Sequence, residues 1–116
     1  MKTFALSLLL FVGSFDSIDS FQLLPTRLKI TVINGLGNIE TGATVTIFKS
    51  KDDYLAESNP VASSNTNEKG KVIFKKLDSI PYYVLVTKGE MNNNGEGVVT
   101  APLREGRINR VNIVIE

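Results

Sequence analysis

Residues 28–48, LKITVINGLGNIETGATVTIF, hold two period-two alternations with a turn between them. Leu28, Ile30 and Val32 alternate with Lys29 and Thr31; Ala43, Val45 and Ile47 alternate with Thr44, Thr46 and Phe48. Successive side chains of an extended chain point to opposite faces, so each run predicts a strand with one buried face. Asn34-Gly35, Gly37-Asn38 and Gly42 stand between the runs. These residue types accept the backbone angles that tight turns require.

The same grammar continues downstream. Ser50 to Gly70 is polar, with Asp52-Asp53 and Asn59-Pro60, and leaves room for a short edge strand near Val61 to Thr66. In Lys71 to Leu77, Val72 and Phe74 share a face. Tyr82 to Lys88 (YYVLVTK) is rich in β-branched and aromatic residues, the composition that suits a pleated surface. Gly89 to Gly97 is a loop with three consecutive Asn. Gly97 to Leu103 and Ile108 to Glu116 are read as the last two strands, joined by a turn at Arg104 to Gly106, with Val111, Ile113 and Ile115 as the final apolar phase. No segment beyond residue 26 carries a convincing helical period. Short strands separated by regular turn signals predict an all-β fold, an antiparallel β-sandwich of about seven strands.

The beginning of the chain reads as an export signal over residues 1–20. Lys2 is the positive region, Phe4 to Val12 (FALSLLLFV) the apolar run, and Gly13, Ser14, Ser17 and Ser20 the small residues that follow. Nine apolar residues are too few to span a bilayer, which takes about 20. Cleavage is expected after Ser20, with Ser14 as the other candidate. Residues 21–26 read as a short linker, in which Pro25 blocks helix. Residues 27–116 then form one domain. No membrane insertion is expected once the signal is removed, and the expected location is the periplasm or the outside of the cell.

Composition narrows the chemistry. The 116 residues include no His and no Cys. A Ser-His-Asp triad, a His-held zinc, a thiolate nucleophile and a disulfide are therefore all out of reach. The net charge is +1, and it becomes +2 when the signal takes Lys2, Asp16 and Asp19 with it. No basic stripe stands out along the sequence, so no nucleic acid is expected as partner. No cofactor and no catalytic residue are expected.

Several of these segments resemble the carboxypeptidase regulatory-like domains, a transthyretin-like (prealbumin-like) family. Gly42-Ala43-Thr44-Val45-Thr46-Ile47 is similar to its Gly-Ala-x-Val-x-Leu. Thr66 to Leu77 (TNEKGKVIFKKL) resembles its Thr-Asp-x-x-Gly-x-Phe-x-Phe-x-x-Leu, and Pro81 to Leu85 (PYYVL) its Gly-x-Tyr-x-Leu. The chain departs from the pattern at Asn67, where Asp is usual, and at Pro81, where Gly is usual. The resemblance covers most of residues 27–116. It implies a seven-stranded transthyretin-like sandwich, used in bacteria as an extracytoplasmic module without chemistry of its own. In the metallo-carboxypeptidases this domain is an accessory to a separate zinc domain.

Four sharper readings follow. A transthyretin-like hydrolase of the uric acid pathway relies on His and on a Tyr-Arg-Gly-Ser terminus; this chain has no His and ends in Ile115-Glu116. A Lys–Asn isopeptide bond between Lys29 and Asn112 needs both groups desolvated beside an acid, whereas both fall on the outward phase. Asp52, Asp53 and Glu57 lie close in sequence, but their spacing matches no Ca²⁺ loop and a solvated cluster is favoured. Last, if Tyr83 and Leu85 face the core, then Phe48, Tyr82, Val84 and Val86 face outward together as an interaction surface. A loop folding over that patch, from Ser50 to Gly70, is the competing expectation. The loop residues Asn92, Asn93, Asn94 and Glu96 form a second candidate surface. The expected function is thus a non-catalytic exported module with a structural or protein-binding role, including self-association. The alternative is a small-ligand or carbohydrate binder that uses the aromatic face and the end loops.

Overall fold

The computed structural model describes residues 24–95 and 97–116. The expected signal, residues 21–23 of the linker, and Glu96 lie outside the described residues. Among the described residues, seven strands and one short helix follow in order: β1 (Arg27–Asn34), β2 (Thr44–Phe48), α1 (Lys51–Ala56), β3 (Ala62–Asn65), β4 (Lys71–Phe74), β5 (Tyr83–Lys88), β6 (Met91–Asn92) and β7 (Ile108–Ile115). They form a three-stranded sheet in the order β4-β1-β7 and a four-stranded sheet in the order β3-β2-β5-β6.

The inward residues of the two sheets meet in a single core. Leu28, Ile30 and Val32 of β1, Val45 and Ile47 of β2, Val84 and Val86 of β5 and Ile115 of β7 are wholly buried. Ala43 and Tyr82, both wholly buried, and Val72, Phe74, Leu103 and Ile113, with 7% exposure or less, complete the core. Each buried aliphatic side chain contributes roughly 1.5–3 kcal/mol of transfer free energy. The chain has no disulfide to share that load.

The all-β sandwich is as expected, with four differences of detail, the smallest being that β6 lies within the stretch 89–97 read as a loop. β1 and β7 pair in parallel, Arg27 with Ile108 through Asn34 with Ile115, while every other named pair is antiparallel. The segment 97–103 is extended but not a full strand. It meets β5 through the Tyr83–Val99 bridge, a bond from Thr100 N–H to the Tyr82 carbonyl at 2.9 Å, and one from Val84 N–H to the Val98 carbonyl at 2.6 Å. A helix also occupies residues 51–56. Ser50 caps it, accepting a bond from Asp53 N–H at 3.1 Å, and Asp52 and Asp53 sit in the first turn where the helix dipole favours acids.

Gly70 closes the β3–β4 turn against β1. Its φ is +73°, and a Cβ there would lie 2.9 Å from Ile39 Cβ and 3.1 Å from the Val32 carbonyl oxygen. The Val32 N–H donates to the Gly70 carbonyl at 2.8 Å, so the two backbones touch where only glycine fits.

Candidate functional site

The outward phase of β5 is the reverse of the expected one. Tyr82, Val84 and Val86 are completely buried, and Tyr83 and Leu85 are half-exposed on the outer face. Cross-strand register fixes this: Val84 lies opposite Ile47 and Val86 opposite Val45, both core residues of β2. Tyr82, Val84 and Val86 therefore belong to the core and form no interaction surface. The Tyr82 hydroxyl accepts a bond from Asp78 N–H at 2.8 Å, which satisfies its one polar atom.

Phe48 does lie on the outer phase, opposite Tyr83. It is nonetheless 1% exposed, because α1 covers it. Tyr54 of that helix meets Phe48 edge-on, with ring centroids 6.0 Å apart and planes at 82°. Tyr54 also lies 6.1 Å from Tyr83, tilted by 34°. The polar stretch after Ser50 thus supplies the cover for Phe48.

The Asn loop divides in the same way. Asn93 is buried and structural: its Oδ1 accepts from Val86 N–H at 2.9 Å, and its Nδ2 donates to the Val84 carbonyl at 2.9 Å. Asn92 pairs through its backbone with Glu116 in both directions, at 3.1 Å each. Asn94 is exposed and stands beside α1, with Tyr54 Oη donating to its Oδ1 at 3.4 Å. Among the described residues of the expected surfaces, only Asn94 lines the site that the structure assembles.

That site is a ledge on the outer face of the four-stranded sheet. Tyr54, Leu55 and Glu57 from α1 and its end, Leu85 from β5 and Asn94 from the loop line a depression of about 390 Å³. Leu55 is 66% exposed at its edge. The sequence did signal this site, in the Ser50-x-x-Asp53 spacing of a helix start and in Tyr54 after it. A helix of 6 residues is too short to show a period, and none of its residues is buried.

Two ion pairs flank the sheets. Lys88 Nζ donates to Glu40 Oε1 at 2.8 Å, and Asn34 Nδ2 donates to Glu40 Oε2 at 2.8 Å. These two bonds, the Lys88 one first, hold the Glu40 carboxyl below its ordinary value against the loss of surrounding water. Lys49 and Asp78 pair at 2.9 Å in the open, and the carboxylate raises the Lys49 ammonium.

Asp52, Asp53 and Glu57 do not converge. Asp53 accepts from Asn59 Nδ2 at 3.5 Å, and Glu57 ends the helix with φ 51°. Among the described residues no group of three or more acidic side chains could hold a metal ion. Lys29 lies opposite Arg110 in the β1–β7 register, and Asn112 opposite Thr31, with Asn112 exposed. No helix among the described residues is long and apolar enough to cross a membrane.

No protein-family model matches the sequence, and no curated protein matches it significantly. Among solved structures, the chain is similar to the Bacillus anthracis TIE protein, with a TM-score of 0.58 and 21% identity over 79% of this chain and 17% of that one. A second similarity is to chlorocatechol 1,2-dioxygenase from Pseudomonas putida, with a TM-score of 0.45 and 19% identity over 79% of this chain and 61% of that one. Both matches span less than two thirds of the larger chains. The first likeness is one of mainly-β fold, and the second is too distant to bear on activity.

Proposed function

We propose that this chain is an exported, non-catalytic β-sandwich module of the carboxypeptidase regulatory-like type that binds a protein partner through the Tyr54–Tyr83–Leu85 ledge. The observation that carries the proposal is the placement of two half-exposed tyrosines and two leucines together on the outside of a sheet whose core is already filled. Tyrosine brings a large apolar area with a polar tip at little entropic cost, which is why it concentrates at protein interfaces. The absence of His and Cys from the sequence supports a binding role over a catalytic one. Export rests on the charged, apolar and small-residue order of residues 1–20.

The carbohydrate reading has one observation in its favour, the depression rimmed by Asn94 and Glu57. Against it, Tyr54 packs on Phe48 and Tyr83, so its ring is not a free stacking platform. The two readings part in one experiment. A photo-crosslinking residue at position 55, in the chain expressed in an exporting host, is expected to give a discrete protein adduct. The same residue at exposed Pro102 is expected to give none. A chain that cross-links equally from both positions, or from neither, does not use this ledge for protein. Mass measurement of the exported product, expected to begin at Phe21, tests the signal.

A further inference from the structure

The outer face of the three-stranded sheet carries a second surface of different character. Lys29 stands at its centre. It lies opposite Arg110 on one side and opposite Ile73 on the other, with Lys71 and Lys75 two positions either side of Ile73. Like charges opposed across strands, and diagonal neighbours about 7–8 Å apart, repel one another. No ion pair among the described residues relieves this, since the two pairs present, Lys49–Asp78 and Lys88–Glu40, lie elsewhere. Lys71 foremost, then partial burial, then Arg110 and Lys69, push the Lys29 ammonium below its ordinary value. Such an arrangement costs stability, and a bound anion would remove the cost.

The cations also border a groove. Lys29, Lys69, Lys71 and Lys75 line a depression of about 540 Å³ between the edges of the two sheets, and no acidic side chain lines it. The remaining polar lining is Ser64, Asn65 and Asn67. Asn67 accepts bonds from Lys69 N–H at 2.9 Å and Lys71 N–H at 3.1 Å through its Oδ1, which leaves its amide donors for a ligand. Ile73 is its exposed apolar member.

We propose that this groove binds an acidic polysaccharide, a chain whose repeating anionic groups meet the lysines and whose hydroxyls meet Ser64, Asn65 and Asn67. The alternatives fit less well. No aromatic side chain lines the groove, so unpaired bases have no stacking platform. Among the described residues no helix lines it that could enter a duplex groove. An acidic peptide would need pockets for anchoring side chains, and Ile73 is a bare apolar surface rather than a pocket. Lysines act as flexible point charges, which tolerates the variable spacing of charges along a sugar chain. The proposal concerns a face separate from the tyrosine ledge and stands or falls independently of it.

The test is calorimetric titration of the purified chain with a size-defined heparin oligosaccharide, beside a neutral dextran oligosaccharide, polyglutamate and oligothymidylate. Binding of heparin is expected, with affinity that falls linearly in log–log form as salt rises, because each contact releases counterions. Dextran should not bind, and polyglutamate and oligothymidylate should bind at least about tenfold more weakly, a difference of about 1.4 kcal/mol. Lys29→Gln/Lys71→Gln should lose about tenfold or more in affinity and flatten the salt slope, whereas Lys51→Gln, on the helix of the other sheet, should leave both unchanged. A thermal melt of each variant separates loss of binding from loss of fold. Absence of heparin binding at low salt, or binding that Lys29→Gln/Lys71→Gln leaves intact, overturns the site. Equal binding of polyglutamate or oligothymidylate overturns the assignment to polysaccharide.

Discussion

The side-chain amide of Asn93 stands in for a strand against Val86 and Val84: it takes the Val86 N–H and caps the Val84 carbonyl, at 2.9 Å each. β6 is only two residues long, and without Asn93 the outer edge of β5 would have two buried backbone groups and no partner. Asn93→Ala should therefore cost about 2–4 kcal/mol, because both orphaned groups stay out of water. Urea denaturation would show a lower midpoint with an unchanged slope.

The inward phase of β5 makes an opposite pair of double variants informative. Tyr82→Lys/Val84→Lys forces two cations into the core and should cost more than about 5 kcal/mol, enough to unfold a domain of ordinary stability. Leu55→Lys/Leu85→Lys changes the outer ledge and should fold. Circular dichroism and light scattering on both variants give the comparison.

Gly70 and Gly42 both have positive φ, but only Gly70 is crowded. Gly42→Ala should cost about 1–2 kcal/mol, the intrinsic penalty of a left-handed alanine. Gly70→Ala should cost more, since its Cβ must also displace Ile39 or the Val32 carbonyl. A thermal melt that ranks the two in the other order would mean that the β3–β4 turn relaxes freely.

Glu40 ties the domain to pH. Its carboxyl is held lower in the folded chain than in the unfolded one, so its contribution is present above the ordinary value of 4.5 and is lost as pH falls through the folded value. Stability should be level near neutrality and decline below about pH 4.5, and Glu40→Gln should flatten part of that decline. Lys88→Met should bring the Glu40 titration, followed by NMR, back toward its ordinary position.

Lys29 adds a second rise of stability with pH, at the alkaline end and from repulsion instead of attraction. Its ammonium is destabilised by Lys71 and its neighbours in the folded chain, so stability should rise as pH rises through the lysine range. At neutral pH Lys29→Gln should raise the melting temperature in dilute buffer. The gain should shrink at physiological ionic strength, where the screening length is about 8 Å.

How much of this was legible depended on the residues concerned. The alternations at Leu28–Val32 and Ala43–Ile47 gave both the strands and their buried faces, because each has apolar side chains in one phase only, whereas Val72–Phe74 and Ile113–Ile115 were read in the right phase although Ile73 and Val114 are apolar in the other. Tyr82 to Val86 has apolar side chains in both phases, and a period of two does not say which phase faces in. Pairing with β2 decides that, and pairing is a long-range fact. The parallel partnership of β1 and β7 and the edge role of Asn93 are long-range in the same sense. The basic groove was hidden because Lys29 joins Lys69, Lys71 and Lys75 only through the long-range pairing of β1 with β4, within a chain of near-neutral charge.

The parallel alignment of β1 with β7 also determines how the domain would carry a load. Arg27 lies level with Ile108 and Asn34 with Ile115. Tension applied through the chain before Arg27 and after Ile115 draws these two strands past each other in opposite directions along one shared ladder. The interstrand bonds are then loaded together in shear, rather than opened in turn as a hairpin pulled at its free ends would be. Resistance to stretching is a matter of unfolding rate rather than of equilibrium stability. A module joined in series this way would hold its shape under a pull that parts an ordinary hairpin, a useful property in any tether.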